Sequence, residues 1–315
     1  MARVAYLGPA GTFTEAALLR MAAAGLIPEH RPDTLRPLPI ESTPAALDAV
    51  RNGTADFACV PIENSIDGSV APTLDSLAIG PPLQVFAEIT LDVAFSIVVK
   101  PGRAIGEVRT VAAFPVAAAQ VRQWLARHLP AAELQPANSN GDAAQQVADG
   151  RVDAAVSSTL AAVQFGLASL ADGVVDEPNA RTRFVLVGHP APPPLRTGAD
   201  RTSVVLRIDN VPGALLGALT EFGMRGIDLT RIESRPTRTG LGAYMFFLDC
   251  VGHIDDDAVA EALKALYRRC EDVRYLGSWP TGAPAGAGPP SSDLASRWLA
   301  RLRAGKPDSS PGSER

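Results

Sequence analysis

The chain is 315 residues long and 46% apolar, enough for two or three compact units with ordinary cores, which excludes a single small module. A formal charge of −5 with no cluster of lysine or arginine leaves no footprint for a nucleic-acid backbone. Three scattered cysteines, Cys59, Cys250 and Cys270, fit neither a disulfide framework nor a zinc spacing, and the first residues lack a basic and apolar leader, so a soluble cytoplasmic protein is expected.

Through residues 1–189 short apolar runs alternate with helical patterns, as in a parallel or mixed α/β sheet. Arg3 to Leu7 reads as a strand and Gly8 to Gly11 as a tight turn. Thr12 and Glu15 then form a capping box on a helix ending near Gly25. The N-terminus of that helix, at Gly11 and Thr12, would offer N–H groups to an anion. A dinucleotide is not expected, because the G-x-G-x-x-G spacing is missing. A faint internal repeat follows. Ala45 to Val60 and Ala143 to Val156 share a helix, a glycine after it, an aspartate three residues on and a short apolar strand, which predicts two similar lobes. The two repeats run into polar residues, Glu63, Asn64 and Ser65 in the first and Ser158 in the second. Ligands bind at the carboxyl ends of such strands, so a shared cleft is predicted there.

Thr182 stands between Arg181 and Arg183, just before an apolar run that begins at Phe184. Taken alone, this is an ordinary strand entrance with surface charge beside it. The proline-rich residues 190–200 read as a linker. Residues 201–280 follow a βαββαβ, ferredoxin-like pattern. Its strands are Thr202–Ile208, Ile227–Arg235, Ala243–Val251, entered through the 239–242 turn, and Val273–Leu276. Its helices are Pro212–Phe222 and Asp257–Arg269. Beyond Pro280 a Gly-, Pro- and Ala-rich composition predicts a flexible tail over 281–315, with a short amphipathic helix at Ser292–Arg303. His30, His128, His189 and His253 fall outside every block and are expected on the surface or in linkers.

Four blocks in order, Tyr6 to Glu15, Pro61 to Val70, Asn179 to Phe184, and Gly213 to Leu215 with Glu233 to Pro236, resemble the prephenate dehydratase family in its bacterial single-function form with an appended ACT domain. The resemblance implies a two-lobed α/β catalytic domain like that of periplasmic binding proteins, with lobes at about 1–78 plus 178–189 and at 79–177. It implies conversion of prephenate to phenylpyruvate without cofactor or metal. Thr182 is then the donor to the leaving hydroxyl, helped by its flanking cations. Arg183 holds the loop and a substrate carboxylate, and Glu63 orients. Gly11, Thr12, Asn64, Ser65, Ser158 and Phe184 complete the substrate site. The ACT domain implies a homo-oligomer that binds L-phenylalanine between two copies. Its implied site comprises Asn210, Val211, Pro212, Gly213, Ala214 and Leu215 on one side, and Asp228, Leu229, Glu233 and Ser234 on the other. Two departures stand out. Ala113-Phe-Pro-Val116 replaces a Ser-His-Pro-Gln block, and Phe95 occupies a position where histidine is usual, so histidine acid–base chemistry finds no support. Arogenate dehydratase shares this chemistry and stays open as an alternative. A binding regulator without catalysis is disfavoured by the retained Thr-Arg-Phe block.

Overall fold

The computed structural model describes residues 1–28, 34–177, 179–238, 242–283, 285–290 and 293–306. It divides into two compact units, Met1–Pro192 and Pro193–Arg315.

The first lobe of the first unit contains β1 (Ala2–Leu7), α1 (Phe13–Ala23), β2 (Leu35–Ile40), α2 (Thr43–Arg51), β3 (Phe57–Asn64), β4 (Gly68–Ser69), α3 (Ala71–Ala78) and β5 (Gln84–Asp92). The second lobe contains β6 (Phe95–Val99), β7 (Thr110–Ala113), α4 (Pro115–Gln120), α5 (Arg122–His128), β8 (Glu133–Pro136), α6 (Asn140–Ala148), β9 (Ala154–Ser157), α7 (Thr159–Gln164) and β10 (Ala168–Val174). The chain then returns as β11 (Arg181–Gly188), inserted between β3 and β5. The first sheet therefore runs β2-β1-β3-β11-β5 and the second β8-β7-β9-β6-β10. In each, three parallel strands are followed by an antiparallel one, so the internal repeat corresponds to a repeated sheet order. Strand β5 pairs with β11 along its length and completes the first sheet. Residues 84–92 thus belong to the first lobe, and the crossing falls at 93–94 rather than at 79. Sequence patterning could not show this, since a buried strand looks alike in either sheet.

The repeated aspartates have one shared job. Asp56 Oδ2 accepts the Arg3 amide at 2.8 Å, and Asp153 Oδ2 accepts the Arg109 and Thr110 amides at 2.9 and 3.1 Å. Each ties the segment after a helix to the start of a neighbouring strand. The helices before them are capped alike, Ser42 accepting from the Ala45 amide and Ser139 from the Asp142 amide.

The lobes dock closely where the Gly8–Gly11 turn meets α6 and α7. Ser158 Oγ donates to the Gly11 carbonyl at 2.6 Å, and Gln164 Nε2 donates to Glu15 Oε2 at 3.0 Å. Phe13 packs edge-on against Phe95, 5.6 Å between ring centroids, and touches the cores of both lobes. Two glycines permit the approach. Gly11, at φ +84°, lies against Ala161, and a Cβ on Gly141 would run into the Ala10 carbonyl oxygen and come within 3.1 Å of Pro9 Cγ.

In the second unit β12 (Asp200–Arg207), β13 (Leu229–Pro236), β14 (Tyr244–Val251) and β15 (Asp272–Pro280) form an antiparallel sheet ordered β13-β14-β12-β15. Helices α8 (Ala214–Gly223) and α9 (Asp257–Arg269) cover one face, burying Ala218, Phe222, Val259 and Leu266 against Val204, Leu206 and Leu248. Burial and the neighbouring Asp249 charge push the Cys250 thiol up to about 12. Three expectations change. Helix α8 begins at Ala214 instead of Pro212, because Gly213 takes φ +83° at the N-cap. His253 is fully buried, its Nε2 3.0 Å from the Pro194 carbonyl and its Nδ1 accepting from the Asp255 amide, because the turn through Asp256 folds the ring inward. The tail is not detached where it is described, since Gly286 lies beside Asp228, and Ser296 of α10 (Asp293–Arg303) bonds Asp257. His128 and His189 are exposed as expected. His30, residues 239–241 of the predicted turn and residues 307–315 of the tail lie outside the described residues. No described helix is long and apolar enough to cross a membrane.

Helix propensity alone would favour Gly141→Ala by up to ~1 kcal/mol, but the overlap with backbone at Ala10 decides the sign. Urea unfolding of Gly141→Ala is expected to show a loss of roughly 1–3 kcal/mol, as overpacked sites do.

Candidate active site

Strand β11 enters the first sheet at Arg181, and its second residue, Thr182, stands opposite Asn64, the last residue of β3. Thr182 is 7% exposed, and its Oγ1 accepts a hydrogen bond from Asn64 Nδ2 at 3.0 Å. The amide has one consistent orientation, because Asn64 Oδ1 accepts the Ile66 and Asp67 amides at 2.7 and 3.1 Å. With Oγ1 already accepting, the Thr182 proton is directed away from Asn64. Ser65 fixes the same corner. Its amide donates to the Arg181 carbonyl at 2.8 Å, and its Oγ accepts from the Arg181 amide at 2.8 Å. The Asn-Ser turn and the Thr-Arg-Phe strand entrance are thus one structure.

The flanking arginines are both paired with carboxylates. Successive residues of a strand point to opposite faces, so Arg181 and Arg183 share a face that Thr182 does not. Arg181 Nε pairs with Asp92 at 2.8 Å in an exposed position. Arg183, 7% exposed, lies 2.9 Å from Glu63 Oε2 and 3.1 Å from Glu88 Oε2. These carboxylates pair with the cation, so Arg183 fixes the strand entrance, as expected of it, and Glu63, expected to orient, is its partner. The three side chains stitch β3, β11 and β5 together. Glu88, which supplies the buried partner, carried no signal in the sequence. Phe184 is 2% exposed and belongs to the first-lobe core with Tyr6, Leu18 and Leu186.

The turn before α1 is also more occupied than its sequence suggested. Thr12 Oγ1 accepts the Glu15 amide and donates to the Leu7 carbonyl, while Glu15 reaches back to the Gly11 amide at 2.7 Å. Tyr6 donates to the same Glu15, and burial, with that carboxylate beside it, pushes the phenol pKa up. Gly11 is therefore a docking point, with its amide used by Glu15 and its carbonyl by Ser158. The Ser158 hydroxyl caps α7 through the Ala161 amide and bonds Gly11, which leaves it structural.

A cavity of about 520 Å³ opens between the lobes. The first lobe contributes Leu7 to Pro9, Thr12 to Thr14 and Pro39 to Glu41; the second contributes Phe114 and Asn138 to Asn140. Thr182 does not line it, although both lie at the same end of the first sheet. Helix α4 connects them. Phe114 at its start lines the cavity, and Gln120 at its end reaches Asp67 Oδ2 at 3.5 Å, beside the Asn64 turn. Thr14, Phe114, Gln120 and Asn140 were not singled out from sequence; of these, Thr14 lay inside the capping-box block and Asn140 beside the repeat.

In the second unit, Asn210, Val211, Ala214 and Leu215 line one cavity of about 100 Å³ together with Tyr244 and Phe246. A second, of about 320 Å³, takes in Val211, Pro212, Gly213, Ala214 and Arg269. Asp228 precedes the edge strand β13, and Leu229, Glu233 and Ser234 lie on it; none of these residues lines either cavity.

Fold and site together define a two-lobed α/β catalytic unit followed by a ferredoxin-like regulatory unit. Residues 4–192 match the family model for prephenate dehydratase, and residues 202–266 match that for the ACT domain. The chain is 79% identical over 308 residues to a prephenate dehydratase of Mycobacterium bovis, covering 98% of this chain and 96% of that one. It is 76% identical over 312 residues to that of Mycobacterium marinum, covering 99% of each. Among solved structures it resembles the prephenate dehydratase of Arthrobacter aurescens in complex with L-Phe, with a TM-score of 0.84 and 39% identity over 96% of this chain and 99% of that one. The chain belongs to the prephenate dehydratase family.

The two neighbouring arginines should differ sharply in stability effect. Arg183→Met leaves Glu88 buried without its cation and is expected to cost roughly 3–5 kcal/mol in denaturant unfolding. Arg181→Met removes an exposed pair worth about 0–1 kcal/mol.

Proposed function

We propose how this chain carries out its family's reaction, the decarboxylating dehydration of prephenate to phenylpyruvate. Prephenate binds between the lobes, along the wall that α4 forms from the cavity to the Thr182–Asn64 corner. Its ring carboxylate leaves as carbon dioxide, and the electron pair of that carbon–carbon bond enters the ring. Aromatisation expels the hydroxyl across the ring, which needs a proton to depart as water. Thr182 Oγ1 supplies a hydrogen bond or proton to that oxygen.

The observation that carries this reading is the 3.0 Å hydrogen bond from Asn64 to Thr182 Oγ1. A donor into Oγ1 turns the proton outward and stabilises negative charge developing on the oxygen. Ser65, Glu63, Glu88 and Arg183 are positioning residues that hold β3, β11 and β5 so that this pair keeps its geometry. Following phenylpyruvate by its ultraviolet absorbance, Thr182→Ala should lower kcat by about 10²–10⁴, the usual range for one positioned donor. Near-normal turnover would remove Thr182 from the mechanism. The same assay with arogenate tests the related substrate.

The second unit is the regulatory site for L-phenylalanine. Asn210, Val211 and Ala214 line its cavities next to the N-terminus of α8, with Tyr244 and Phe246 in the smaller and Arg269 in the larger, which suits a carboxylate joined to an aromatic side chain. Asp228 to Ser234 join the site only if a second copy approaches along the edge strand β13, so the effector-binding form is a homo-oligomer. Calorimetry on the intact protein should show L-phenylalanine binding that weakens when substrate is present if the effector opposes substrate binding, because coupling is reciprocal. Absence of any binding heat or competition would defeat the proposal.

A further inference from the structure

Within the cavity between the lobes, one side chain is buried without a partner. Thr14 is 4% exposed and lines the cavity, yet its hydroxyl has no hydrogen-bond partner among the described residues. Its neighbours Thr12 and Glu15 are both engaged in capping α1. The hydroxyl is left free to bond a ligand, and Thr14 sits in the first turn of an eleven-residue helix, where backbone N–H groups also lack intrahelical acceptors. The facing wall repeats the arrangement. Asn140 is the first residue of the nine-residue helix α6 and lines the same cavity, and its buried Oδ1 has no partner among the described residues. Its Nδ2 is not enclosed in this way and makes no side-chain bond among the described residues, so it can serve as a donor. Two helix N-termini and two unsatisfied polar side chains therefore meet across one space. Among the described residues no lysine or arginine lines it, and Glu41 is the one charged side chain on its wall.

We propose that Thr14 and Asn140 grip a carboxylate of the substrate, one from each lobe, with neutral donors and helix N-termini in place of a cation. This rests on the reading of the interlobe cleft as the prephenate site, and it assigns the cavity end of that cleft to binding and the Thr182 end to bond breaking. A grip shared between the lobes also makes bound substrate a tie between them.

The test is steady-state kinetics with prephenate on the full-length protein. Thr14→Val, which keeps the shape and removes the hydroxyl, should raise KM roughly 10- to 100-fold, as loss of a hydrogen bond to a charged group does. The kcat should change much less, and Thr14→Ser should restore KM. Asn140→Asp separates binding from folding. An aspartate in the first turn favours a helix, so Tm should hold or rise, whereas a negative charge facing the ligand should raise KM at least as far. Unchanged KM in Asn140→Asp overturns the proposal, and so does a Thr14→Val whose loss appears in Tm and kcat alone with no recovery in Thr14→Ser. If Thr14→Val does not fold, the Asn140→Asp result decides. A raised KM in these variants beside a normal kcat in Thr182→Ala would keep this inference and discard the role given to Thr182.

Discussion

The return of the chain from the second lobe into the first sheet is the constraint on which the site depends. Strand β11 lies between β3 and β5, and only that insertion sets Thr182 opposite Asn64, residues separated by most of the catalytic unit in sequence. The Asn64–Thr182 hydrogen bond, the Ser65 bonds to Arg181 and the Arg183 pairs with Glu63 and Glu88 all close across that one seam. A one-residue slip would turn every side chain of β11 to the opposite face, putting guanidinium groups where the hydroxyl now stands. The buried ion pairs act against such a slip by leaving a charge unpaired in any other register.

That seam also divides labour on the two faces of the strand. Charge is concentrated and neutralised on the face carrying Arg183, while Thr182 meets only a neutral amide. If Thr182 is the acid, as proposed, a neutral donor beside it suits a substrate that is already a dianion, since a permanent cation there would also attract the wrong carboxylate. The cavity is built alike. Apart from Glu41 its polar groups are hydroxyls, amides and helix ends, and its aromatic residues Phe13 and Phe114 provide a hydrophobic surface for a ring.

Much of this was legible in the chain itself. The capping box at Thr12 and Glu15 formed as read, except that Glu15 reaches the Gly11 amide instead of that of Thr12. The repeat around Gly53 and Gly150 announced two lobes, and the aspartates within it proved to tie strands together. The ferredoxin-like order of the second unit followed from period-two and helical patterning over runs long enough to be decisive. Arg183 adjoins Thr182, and Glu63 adjoins Asn64, but adjacency along a strand places neighbours on opposite faces, while Phe184 shares the face of Thr182 one step further into the core. His253 was expected outside because nothing local recorded that its ring would fold inward onto the Pro194 carbonyl.

Sequence alone determined the alternation of elements, the caps, the glycine turns and the family blocks, because each of these is a property of residues close together in the chain. Tertiary structure decided which sheet received β5 and β11, which carboxylates neutralised Arg183, and which polar groups remained unsatisfied at Thr14 and Asn140. Those outcomes depend on register and on lobe-to-lobe approach, where hydrogen bonds close between residues a hundred or more positions apart. No local pattern encodes a partner at that distance, so the site became visible only once the strands were paired.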